Sequence, residues 1–158
     1  MSHYQLVTHW SFAAPVERVW HELKQPQEWP RWWKGVVAVQ LLEAGDANDV
    51  GAYRRMTWRS ALPYQLAFNM RTTRVVPQSV IEGVADGELT GRGVWTLSAN
   101  ASGGADVRYD WTVEATKWWM RALAPVAKPL FEWNHGVVME WGREGLGRRL
   151  ERRPQAPV

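Results

Sequence analysis

The sequence contains no cysteine, which excludes disulfides and thiolate catalysis and is compatible with a cytoplasmic protein. It has no run of about 18 apolar residues, so no membrane-spanning helix is expected. The opening MSHYQLVTHW lacks a basic stretch followed by an apolar one, and no secretory signal is read there. Histidine is scarce: His3, His9, His21 and His135 show neither an HExxH pattern nor a pair at metal spacing, so no zinc or iron site is expected. A Walker loop and a Gly-x-Ser-x-Gly elbow are both missing, and no cofactor is expected. The glycine-rich run Gly87 to Gly93 lies between two predicted strands and reads as a hairpin. Excess charge is small, at +3, and much of it comes from arginines after Gly142. With no basic stripe carrying interleaved aromatics, no nucleic-acid partner is expected.

What the chain has in excess is tryptophan, 12 residues in 158. Indole is bulky and carries an N–H that wants an acceptor, so it gathers at cavity walls, cavity mouths and interfaces. Hydrophobic residues at 46% and charged residues at 22% fit an ordinary globular chain. The length suits one domain over residues 1–153, with 154–158 as a short tail.

The segment Pro129 to Leu150 predicts a long helix, with Pro129 suited to the first turn. Phe131, His135, Val138, Gly142, Gly145 and Arg149 recur on one stripe, and Leu130, Trp133, Val137 and Trp141 on its neighbour. Arg148, Arg149, Arg152 and Arg153 oppose the negative pole of the helix dipole. Gly136, Gly142, Gly145 and Gly147 each cost up to about 1 kcal/mol in a helix interior. Close approach by another backbone, a curved sheet above all, would account for them.

The rest of the chain reads in order as follows. Tyr4 to Phe12 alternates like a half-buried strand, Pro15 to Lys24 is a short helix, and Gln27 to Trp33 is a helical turn. Strands are then predicted over Val36–Glu43, Gly51–Ser60, Tyr64–Val76, Gln78–Ala85, Gly91–Ala99 and Ala105–Ala115, with turns at Asp86-Gly87 and Asn100 to Gly104. Thr116 to Ala124 reads as a helical lead-in broken by Pro125. The class is α+β: a curled antiparallel sheet of about seven strands around the long C-terminal helix, with two short helices after the first strand closing one end of a cavity.

Particular residues carry a resemblance. Ala14-Pro15-Val16-Glu17-Arg18-Val19-Trp20 is similar to the opening of the polyketide cyclase/dehydrase and lipid transport branch of the START-like (SRPBCC) superfamily. Trp29-Pro30-Arg31-Trp32-Trp33 resembles its Trp-Pro-x-Trp segment. Tyr109-Asp110-Trp111, Thr116-Lys117-Trp118-Trp119-Met120, Trp133-Asn134-His135, Val138-Met139 and Gly145-Leu146 resemble its C-terminal half. The likeness spans nearly the whole chain and implies the helix-grip fold. For function it implies several things at once, since that fold hosts binding proteins, cyclases and interaction modules.

Candidate site residues follow. His135, on the helix stripe that faces the sheet, is either a satisfied core imidazole beside Asn134 or a group that binds or exchanges protons with a ligand. Glu82, on the face of Val80 and Val84, is the candidate inward carboxylate, while Asp110 is expected to face solvent. Arg54, Arg55, Asn69 and Arg71 stay ambiguous, because alternation does not say which face is concave. An apolar pocket is expected between helix and sheet, with Trp10, Tyr53, Trp58, Phe68, Trp95, Trp111, Phe131, Asn134, His135 and Val138 as its ligand-binding residues. The expected partner is a hydrophobic small molecule: a lipid, a quinone or a polyketide-like compound. An enzyme of the cyclase or dehydratase type, using His135 or Glu82 as acid or base, is the alternative. A protein-interaction module displaying its tryptophans is the third reading.

Overall fold

The computed structural model describes residues 3–63, 65–115, 122 and 124–152. Seven strands form one antiparallel sheet: β1 (His3–Phe12), β2 (Val36–Glu43), β3 (Tyr53–Arg59), β4 (Gln65–Val76), β5 (Val80–Gly87), β6 (Leu89–Ala99) and β7 (Ala105–Ala115). Their order is β1-β7-β6-β5-β4-β3-β2, so the first strand closes on the last and the remainder is a meander. Helix α1 (Val16–Leu23) and a 3-10 turn (Pro26–Arg31) separate β1 from β2. The long helix α2 (Ala124–Arg152) ends the described chain. This is the curved sheet gripping a C-terminal helix that the residues predict.

Two boundaries differ from expectation. Helix α2 begins at Ala124 and not at Pro129. Pro129 thus lies inside the helix, where it removes only the bond to the carbonyl of residue 125. The expected lead-in over residues 116–124 lies almost entirely outside the described residues. The strands β5 and β6 also run past the expected Asp86-Gly87 turn, because Asp86 still pairs with Asn69 and Gly87 with Phe68. The corner falls at Glu88 instead, and Gly87, with φ +108°, supplies the bend into it.

Two of the four helix glycines have the purpose expected, but against a different neighbour. A Cβ on Gly145 would lie 1.7 Å from the backbone oxygen of Trp32, and one on Gly142 would lie 2.5 Å from the Trp33 ring. At these two glycines helix α2 therefore rests on the segment after the 3-10 turn, not on the sheet. Trp33 Nε1 donates to the Val138 carbonyl at 2.8 Å and fixes that crossing. Gly136 and Gly147 meet nothing within 4 Å. The buried stripe is narrower than the apolar pattern implied: Val138, Met139, Leu146 and Leu150 are buried, whereas Leu130 and Trp133 are exposed. Arg149, expected to serve the helix dipole, instead pairs with Glu22 of α1 at 2.7 Å, both side chains largely buried.

Candidate functional site

Between α2 and the concave face lies a cavity of about 130 Å3. Even-numbered residues supply its wall on β3 and β4 (Met56, Trp58, Leu66, Phe68, Met70), and odd-numbered ones on β6 and β7 (Leu89, Trp95, Tyr109, Trp111). This parity follows from the pleat and the antiparallel registers, in which Met56 pairs with Phe68 and Trp95 with Tyr109. Phe131, Asn134, His135, Val138 and Met139 of α2 form the opposite wall, and Trp29, Trp33 and Ser60 complete the lining. Phe131 stacks on Tyr4 of β1 with centroids 4.5 Å apart, which docks this part of the helix on the sheet edge.

Of the residues expected at the pocket, Trp58, Phe68, Trp95, Trp111, Phe131, Asn134, His135 and Val138 line it. Two do not. Trp10 is buried in the core, edge-on to Trp33 at 5.5 Å and tilted against Trp95 at 5.3 Å. Tyr53 lies on the outer face, where its hydroxyl donates to Asp86 at 2.9 Å and the Arg71 guanidinium stacks on its ring. It stands five positions from Trp58 on one strand, and an odd separation sends two side chains to opposite faces.

Glu82 is a second correction. The face it shares with Val84 is the outer one, since Val84 is exposed, and Glu82 pairs there with Arg92 and accepts from Thr73 Oγ1 at 2.9 Å. These bonds hold its carboxyl below the usual carboxylate range. Asp110 also lies outside, paired with Arg108 at 3.0 Å. Of the ambiguous polar residues, Arg55 is exposed, Asn69 bonds Tyr53 on the outer face and Arg71 pairs there with Glu43, while Arg54 is buried on the inner side.

The residues missed include the three methionines, Tyr109, Trp29, Trp33, Ser60, Leu66 and Leu89. Residues 56, 70 and 139 carry no signal beyond apolar character, but Tyr109 sits one strand-repeat before Trp111 and could have been placed by parity. Its ring stacks on Trp95 at 4.2 Å, and its hydroxyl lies over Gly93, where a Cβ would come within 2.3 Å of the oxygen. Among the described residues nothing hydrogen-bonds that hydroxyl, and burial pushes its pKa well up, so it is a donor at any working pH. His135 likewise has no hydrogen-bond partner among the described residues, and burial lowers its pKa to about 4. The ring is therefore neutral near pH 7, offering one donor and one acceptor. Asn134 Oδ1 accepts from the Ala61 N–H at 3.2 Å, which ties the helix to the β3–β4 loop at the rim. The indole N–H groups of Trp29 and Trp58 are buried without an acceptor among the described residues. The cavity is thus mainly apolar, with a few polar groups that the protein leaves uncommitted.

Residues 5–152 match the family described as polyketide cyclase/dehydrase and lipid transport. The chain belongs to that family. Solved structures carry the same fold. A START superfamily protein from Mycobacterium smegmatis has a TM-score of 0.76 at 13% identity, covering 94% of this chain and 97% of its own. The Zhui aromatase/cyclase from Streptomyces sp. R1128 has a TM-score of 0.76 at 16% identity, covering 99% of both chains. The protein TTHA0849 from Thermus thermophilus has a TM-score of 0.75 at 15% identity, covering 93% and 99%. At such identities the likeness is one of fold. No curated protein matches the chain. Among the described residues no helix of this family member is long and apolar enough to cross a membrane, and no group of His, Asp and Glu is spaced to hold a metal.

Proposed function

We propose that the protein binds an apolar small molecule of the lipid, quinone or polyketide-like kind in the cavity between α2 and the sheet. The observation that carries this is an aromatic and methionine-lined space walled in part by Tyr109 and His135, whose polar atoms have no protein partner among the described residues. A dry apolar cavity of about 150 Å3 is enough to take up benzene. The space here, about 130 Å3, suits one ring or a short chain segment.

The acid–base inventory favours binding over turnover. A general acid or base works best when its pKa lies near the operating pH. His135, at about 4, lies well below neutrality, and the Tyr109 phenol is pushed the other way. Membership of a family that includes cyclases keeps the enzymatic reading in the test. The neutral fluorescent probe N-phenyl-1-naphthylamine should bind and be displaced by menadione, a small quinone. Absence of both binding and displacement would defeat the proposal. His135→Gln keeps one hydrogen-bonding group, so menadione affinity should fall only about fivefold. A loss of turnover by a hundredfold or more with unchanged affinity, on any cyclising substrate, would establish the enzyme instead.

A further inference from the structure

A second cavity, of about 260 Å3, lies on the same concave face beyond Trp29, Met56, Met70, Trp95 and Tyr109, residues that wall both spaces. Its cover is α1 and the 3-10 turn, through Trp20, Leu23 and Pro26, and not α2. Its character differs from that of the first, because it contains a buried cation. Arg54 is 4% exposed and donates to Asp49 at 2.7 Å, to Gln27 at 3.2 Å and to Thr72 at 3.5 Å. A guanidinium has five N–H donors, so these three bonds, one of them at the limit of length, leave two uncommitted. Lys24 stands at the rim with no partner among the described residues. Two carboxylates also line the compartment: Asp49 answers Arg54 and Glu82 is paired with Arg92, so Lys24 is the charged side chain there without a partner among the described residues.

The partition between the two spaces is soft. Met56 and Met70 are unbranched and change rotamer without leaving apolar surroundings. Met70 Cε packs over Gly83, where a Cβ would stand 3.0 Å away. We propose that the two cavities form one bent site, divided by Met56 and Met70, for an elongated amphipathic acid. Its apolar end lies beside Phe131 and Val138, and its carboxylate meets Lys24 and Arg54. The inference rests on the apolar-ligand reading and adds to it the second compartment and the anionic end.

The test compares dodecanoic acid with dodecan-1-ol at about pH 8, where the acid is ionised. Each is titrated against the bound naphthylamine probe. The wild type should bind the acid about tenfold or more tightly than the alcohol, since a charge-assisted pair is stronger than a neutral one. That ratio should fall close to one in Arg54→Gln, in Lys24→Ala, and in Val75→Phe, which fills the second cavity alone. Lys24 is exposed, so its variant remains informative if Arg54→Gln fails to fold. Equal binding of acid and alcohol by the wild type, or a ratio that survives in Lys24→Ala and Val75→Phe, overturns the inference and leaves the apolar-ligand reading standing. Failure of the wild type to bind the probe and the alcohol overturns both.

Discussion

Tyr109 and His135 both carry hydrogen-bonding groups into an apolar space, yet they differ in what their removal should cost. The Tyr109 hydroxyl has no partner among the described residues, so Tyr109→Phe deletes a buried polar group without orphaning another. Stability to urea should change by no more than about 0.5 kcal/mol, while affinity for menadione, whose carbonyl can accept from the phenol, should drop by about 1 kcal/mol. A stability loss above about 2 kcal/mol would show a structural bond at that hydroxyl. For His135 the sensitive measurement is pH. Its pKa in the fold, about 4, lies below the ordinary value of about 6.5. Between these values the unfolded chain holds a proton that the folded one does not, so unfolding draws protons and stability falls as pH drops through this window. Above it both states are neutral and the contribution is flat. Wild-type stability should therefore decline more steeply than that of His135→Gln between about pH 6.5 and 5, before most carboxylates titrate. Parallel curves would place the ring in water.

At the scale of elements, α2 is positioned by two glycines and left free at two others. Gly145→Ala puts a Cβ into the Trp32 carbonyl, and the helix must lift away from that segment, with a loss of about 3 kcal/mol or more expected from overpacking against backbone. Gly147→Ala meets nothing and should instead gain up to about 1 kcal/mol of helix propensity. Thermal melts of the two variants should move in opposite directions; a shared direction would mean that the helix end is not docked as described. The sequence showed that something approached this helix, because four glycines in one helix need a reason, but it could not show what. The Trp29 to Trp33 turn is short and non-periodic, so its docking under α2 carries no pattern. The strands were legible almost to the residue where alternation is strict, as in β7. Which face was concave was not, since a pleat has two equivalent sides until a neighbour covers one. Glu82 was assigned inward for that reason. For Tyr53 the sequence does carry the answer, since its odd separation from Trp58 on β3 puts the two on opposite faces. Trp10 has the right parity, but no residue of β1 lines the first cavity.

Across the whole molecule, tryptophans perform two jobs that composition alone could not separate. Trp10, Trp32 and Trp33 pack the core, with Trp33 stacked on Trp32 at 5.4 Å and edge-on to Trp58 at 5.1 Å. Trp58, Trp95 and Trp111 wall the first cavity, and Trp29 and Trp95 stand between it and the second. The wall and the core thus share one continuous aromatic cluster. Exposed hydrophobics are few by comparison, and the interaction-module reading has, among the described residues, only Trp133 as a strongly exposed tryptophan to build on.

The closure of β1 on β7 also has a consequence for the order in which the protein can be made. Trp10 pairs with Val107, about 100 positions later, so the first of these seven strands to leave the ribosome is the last to find its neighbour. At about 5–20 residues per second, that strand waits on the order of ten seconds with Leu6, Trp10 and Phe12 unprotected. During the wait α1 and the 3-10 turn can form locally, but the sheet face they cover is incomplete. Chains stalled before β7 has emerged should be cut within β1 by a protease, and chains released after synthesis should resist at the same site. Equal resistance in the two would mean that the first strand is held by some other partner until its own arrives.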